Sequence, residues 1–136
     1  MPSALKGLLL ALLLLHAPSL SAQDQATRQE LKRTELSGAP GMEVVMSVSE
    51  LKPGMELPLH LHHGVEAGYV LEGGRIQAPG KEAVELKTGT PLMNLRDIPH
   101  AGFKVVGHTP IKLLTVHVVD KGKPLYDWIP KPETHP

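Results

Sequence analysis

The chain has no cysteine, so neither disulfides nor a lipid attached through cysteine can belong to its design. Aromatic residues are scarce: one Trp, one Phe and two Tyr among 136 residues argue against a site built to stack a large flat ring. Neither sign of charge is in excess, since 14 basic residues face 14 acidic ones, and no long block of like charge offers nucleic acid a footing. A membrane-spanning run of about 20 apolar residues is also missing. The longest apolar stretch, Leu8 to Leu15, is broken soon afterwards by His16 and Pro18.

That short stretch reads better as an export leader. Lys6 precedes it, while Pro18 and the small residues Ser19, Ser21 and Ala22 follow it, which places a signal peptide at 1–21 and the mature protein in the periplasm or outside the cell. Removal takes Lys6 and no acid, so the remainder stays within one charge of neutrality, with no stable membrane span. One domain fits in what is left. Residues 22–40 are polar, with little hydrophobic periodicity, and read as an N-terminal arm of partly helical character that ends at Ala39-Pro40-Gly41.

What the chain has in quantity is glycine and proline, 13 of each, and they divide it into short pieces unsuited to helices. Between 41 and 120 those pieces are rich in β-branched residues. Glu43 to Leu51 alternates, with Val44, Met46 and Val48 on one face, and ends at Lys52-Pro53-Gly54. Further strands are expected at Leu57 to His62, Gly68 to Leu71, Arg75 to Gln77, Ala83 to Leu86, Pro91 to Leu95, Gly102 to Val106 and Ile111 to Val119. Such close spacing predicts an all-β sandwich or barrel. The proline-rich tail, 121–136, is expected to wrap the outside, anchored by Tyr126 and Trp128.

The segment GMELPLHLHHGVEAGYVLEGG carries the chemistry. Successive side chains on a strand point to opposite faces, so His60 and His62 share one face and Leu61 and His63 the other. Their Cα atoms would lie about 7 Å apart, close enough for both imidazoles to reach one ion. Gly64 supplies a turn, after which Glu66 offers a carboxylate from the next strand. Two inward histidines can instead hydrogen-bond each other or the backbone. A buried carboxylate weighs toward a cation, because leaving it unpaired is costly.

Gly54, His60, His62, Glu66 and Gly73 also fill every position of the pattern G-x5-H-x-H-x3-E-x6-G, and in this the chain resembles the cupin superfamily. The likeness continues at Gly89, Pro99 and His100, which match the second cupin motif. Leu95, Asp97 and Lys104 depart from it, standing where proline, glycine and asparagine are usual. The resemblance implies a single cupin (jelly-roll) β-barrel over 41–120 holding one divalent metal ion (Fe, Mn, Ni, Cu or Zn) on His60, His62, Glu66 and His100. It also implies a homodimer, which the 22–40 arm could help to build.

Such a site leaves one or two coordination positions for a ligand. The leading expectation is a metal-dependent enzyme, a dioxygenase or an isomerase or lyase, acting on a small oxygen-rich molecule. A non-catalytic extracytoplasmic protein that binds metal or a small ligand is the alternative, because fold does not select reaction. Glu66 is a candidate base. Lys104, on the same face as His100 and Gly102 of a regular strand, is a candidate cation for an acidic substrate, with a solvent-facing position as its rival. His117 is a candidate cavity residue or a hydrogen-bonded core histidine. His63, His108, Arg75 and Arg96 are read as structural or surface residues.

Overall fold

The computed structural model describes residues 27–131; the expected leader at 1–21 therefore lies outside the described residues. Those residues form strands and turns, with no helix among them. Eleven strands run in chain order: β1 (Thr27–Glu35), β2 (Met42–Leu51), β3 (Glu56–Leu57), β4 (His60–Leu61), β5 (Gly64–Glu72), β6 (Gly74–Gln77), β7 (Val84–Leu86), β8 (Pro91–Asn94), β9 (Phe103–Val105), β10 (Ile111–Asp120) and β11 (Asp127–Trp128). They assemble into a five-stranded sheet ordered β1-β2-β10-β5-β8, a four-stranded sheet ordered β3-β9-β6-β7, and the small pair β11-β4. Every pairing is antiparallel.

Among its described residues, the arm is not helical. From Thr27 it is an edge strand that pairs with β2 along its length and shifts register once, between Glu30 and Lys32. All nine of its residues are exposed, so apolar periodicity gave no sign of it. Backbone pairing holds it, supplemented by an ion pair between Arg33 and Glu43 and a bond of 2.7 Å from Arg28 Nη1 to Ser47 Oγ. Charged side chains on an edge also discourage pairing with other chains.

β2 and β10 set the inside and outside of the large sheet. On β10 the buried positions are Ile111, Leu113, Thr115, His117 and Val119, and on β2 they are Glu43, Val45, Ser47, Ser49 and Leu51. Val44, Met46 and Val48 do share a face, but it is the outer one. Met46, Val116, Ala67 and Met93 form a row across four strands there. The core lies where the two large sheets meet, in a cluster of Leu51, Val70, Val105, Ile111 and Leu113.

Gly64 shows how tightly β5 and β10 approach. A Cβ on it would come within 2.1 Å of the Val118 carbonyl oxygen and 2.5 Å of Val119 Cα, both backbone atoms that cannot turn aside. Gly64→Ala is expected to cost about 3 kcal/mol through overpacking, read as a lower urea midpoint at unchanged slope.

Candidate metal centre

β4 carries His60, and the chain turns through His62 into β5, which carries Glu66. His60 and His62 are each 1% exposed and Glu66 is 8% exposed, so strand alternation has put all three inside. His100 reaches them from the loop before β9. It is held opposite β4 by two backbone bonds, 3.2 Å from His60 N–H to His100 O and 2.9 Å from His100 N–H to His60 O.

Around Glu66 the groups are close. His62 Nε2 lies 3.0 Å and His100 Nε2 3.2 Å from Glu66 Oε2, while the two Nε2 atoms are 3.1 Å apart. The His60 ring stands 4.9 Å from that of His62 and 4.5 Å from that of His100.

The outward-facing nitrogens explain this arrangement. His60 Nδ1–H donates to Pro58 O at 2.8 Å, His100 Nδ1–H to Ile98 O at 3.0 Å, and His62 Nδ1–H to Leu125 O. When a ring is neutral, its proton is thus fixed on Nδ1 and its lone pair on Nε2. Donor atoms of His60, His62 and His100 then lie within 4.8 Å of one another, and the Glu66 carboxylate meets those of His62 and His100, without enough protons to go between them. A divalent cation satisfies that donor set, and three imidazoles with one carboxylate suit a first-row transition metal or zinc.

Electrostatics agree with the geometry. Burial pushes the His60 imidazolium down to about 4, so its ring is neutral at pH 7. Burial alone would raise Glu66, but His100 and His62, donors whenever Nε2 carries a proton, and the Asn94 amide outweigh it and hold the carboxyl well below its usual range. His100 is also opposed by burial, yet its contact with Glu66 raises it, as expected of the ring that carries an extra proton when no cation is near.

Several contributors were not foreseen from sequence. Asn94, facing Glu66 across the β5–β8 pair, donates from Nδ2 to Glu66 Oε2 at 2.8 Å. The tail does not merely wrap the outside. Leu125 supplies the carbonyl that orients His62, β11 pairs with β4, and Tyr126 packs 4.9 Å from the His60 ring and 5.0 Å from that of His62. Trp128 stacks on Tyr126 at 5.2 Å and stays half exposed at the cavity mouth. Burial raises the Tyr126 phenol to about 12, which keeps it a neutral donor.

His117 sits beside Glu66 in register and is fully buried, with Nε2 3.5 Å from Glu66 Oε1. Neither of its ring nitrogens has a hydrogen-bond partner and it is not among the residues that line the cavity, so it is neither a hydrogen-bonded core histidine nor a cavity-wall residue but a buried ring behind Glu66. His62, Glu66 and His117 form a second close donor group that overlaps the group of His60, His62 and His100. His63 faces away, as alternation requires, and bridges Asp97 and Asp127 at 3.1 Å each.

Lys104 does not reach the cavity. Ala101 and Gly102 adopt φ values of 65° and 77°, which end the extended run after His100 and change the phase of β9. Phe103 therefore turns toward the interior, while Lys104 is exposed opposite Glu56 and Gln77. Lys104→Ala is accordingly expected to change stability by less than about 0.5 kcal/mol and to leave metal content and ligand affinity unchanged. Asp97, where the cupin pattern has glycine, keeps the left-handed backbone with φ 58°, which Asp tolerates better than most residues. Arg75 is exposed, and Arg96 is engaged by Asp120 at 2.9 and 3.0 Å. His108 is exposed in its turn.

Beside the cage opens a cavity of about 1250 Å³ between the sheets. His60, Glu66, His100, Asn94 and Tyr126 line one part, and the side chains of Leu51, Leu57, Ile76, Leu86, Leu92, Phe103 and Leu113 another.

No family model matches the sequence, and no curated protein matches it. Solved structures do. Polyketide cyclase RemF from Streptomyces resistomycificus superposes with a TM-score of 0.56 at 23% identity, over 79% of this chain and 74% of the cyclase. The DMSP lyase DddQ from Ruegeria pomeroyi gives 0.56 at 18% identity, over 78% of this chain and 53% of the lyase, so the match spans about half of that enzyme. A protein with a double-stranded β-helix domain from Klebsiella pneumoniae gives 0.57 at 16% identity, over 85% of this chain and 100% of that one. The architecture of this chain is therefore the cupin fold, a double-stranded β-helix, as the histidine motif implied.

Proposed function

We propose that the chain is a metal-dependent enzyme that holds one divalent ion on His60, His62, Glu66 and His100 and acts on an oxygen-bearing small molecule. The observation that carries this reading is the shared tautomer: His60, His62 and His100 have Nδ1 tied to main-chain carbonyls and form one close donor group, in which His62 and His100 turn Nε2 toward the Glu66 carboxylate. A bound ion would act as a Lewis acid on substrate oxygen. Glu66, linked to Asn94 and adjacent to His117, is placed to take a proton, and Tyr126 to donate a hydrogen bond. A polyketide cyclase and a DMSP lyase are among the proteins sharing the fold, which is consistent with a small-molecule substrate.

The test is elemental analysis of protein purified without added chelator, followed by assay of the loaded and stripped forms. About one transition metal or zinc ion per chain is expected, with turnover lost on stripping and regained on reloading. A loaded protein that binds ligand without turnover would favour the non-catalytic alternative. Export stays part of the proposal, checked by sequencing the N-terminus of protein recovered outside the cytoplasm, with cleavage expected near Ser21 or Ala22. So does a homodimer, which light scattering would show as twice the chain mass.

A further inference from the structure

The register of β10, β5 and β8 sorts their inward side chains by polarity. Reading along β10 away from the metal centre, His117 lies level with Glu66 and Asn94, Thr115 level with Gly68 and Leu92, and Leu113 level with Val70. On these three strands polar groups thus end within two inward positions, and on β2 Ser49, level with Leu113, is the last polar group before Leu51. Across the cavity the four-stranded sheet and its connections contribute Leu57, Ile76, Leu86 and Phe103, all only partly buried because they face the hollow.

Two observations say what would fill this space. At about 1250 Å³ the cavity exceeds the range of roughly 300–1,000 Å³ usual for small-ligand pockets, and its far part offers hydrocarbon rather than hydrogen bonds. At the boundary Thr115 Oγ1 is buried without a partner, although its side chain lines the cavity. A buried hydroxyl left unpaired is costly, so a ligand atom that bonds it is favoured.

From these features we propose that the substrate is amphipathic, with an oxygen-bearing end at the metal centre and Thr115 and a hydrocarbon body in the apolar chamber. This rests on the metal-centre reading and narrows its substrate, replacing the expected small oxygen-rich molecule. The chamber accounts for aliphatic and cyclic bodies alike. Its mouth lies beside Trp128 and Val84, both half exposed, with Lys81 and Lys131 nearby.

Trp128 is the chain's one tryptophan and lines the cavity, so its fluorescence reports occupancy. The metal-loaded protein is titrated with acetate, hexanoate, octanoate and decanoate, its metal content being measured on the same sample. Each methylene added between hexanoate and decanoate should tighten binding roughly fourfold. Val84→Asp, a substitution at an exposed position, should weaken decanoate at least tenfold and leave acetate unchanged. Affinity independent of chain length in fully loaded protein overturns the inference while leaving the metal centre intact. The full chain-length dependence in protein that takes up no metal upholds the chamber and overturns the metal reading.

Discussion

His62→Ala should empty the metal centre while leaving the sheets folded. His62 belongs to both close donor groups, and its Nε2 lies within 3.1 Å of both Glu66 and His100, so its removal disrupts both groups at once. Loss of an outer partner of a metal ligand costs about 10–100-fold in affinity, and loss of the ligand itself should exceed that. The fold should survive because the apolar core at Leu51, Val70, Val105, Ile111 and Leu113 does not include this ring. Elemental analysis and far-ultraviolet circular dichroism on one preparation would check both halves. His63→Ala is the control: its ring faces outward onto Asp97 and Asp127, and metal content should be unaffected. Full occupancy in His62→Ala would remove the proposed cage.

A second large effect is expected on acidification. In the folded, metal-free protein burial lowers His60 and His117 to about 4, against an ordinary value of 6.5. Between those values the unfolded chain binds protons that the native state refuses, so stability falls as pH drops from 6.5 to 4 and rises again on return. Each ring can contribute up to roughly 3 kcal/mol. His100 works the other way, since its raised value gives stability that is present below 6.5 and lost as pH rises through the folded value. Two depressed rings outweigh one elevated ring. Glu66, held low, keeps its contribution through this window and loses it only at more acidic pH. Urea midpoints with chelator present should therefore fall steeply between pH 6.5 and 4.5, and His117→Leu should flatten the decline. Equal midpoints across the window would contradict the burial of neutral rings. With metal bound the same protons compete for the ligands, so release should occur over this range.

Much of this was legible in the residues because it depends on local rules. Period-two alternation separated His60 and His62 from Leu61 and His63, and turn residues divided the strands. The features that escaped depend on register, phase or distance along the chain. β1 is polar on every position but one, so only pairing with β2 reveals it as a strand. The orientation of Lys104 stayed open between cavity and solvent because Ala101 adopts a left-handed conformation that its side chain does not advertise. Val44, Met46 and Val48 share a face, yet alternation alone does not say which face is inside. The burial of Ser47, Ser49 and His117 is intelligible only once β2 and β10 are seen to line a cavity with a polar end.

The bond from His62 to the Leu125 carbonyl has a consequence for how the protein is made. It joins residues 63 positions apart, and it fixes the ring most shared within the centre. Contacts of such separation carry a large loop-closure cost and form late. The proposed metal site would thus be incomplete in a nascent chain and finished only when the C-terminal segment docks. Any ion it takes would then be chosen from the metals available where folding finishes.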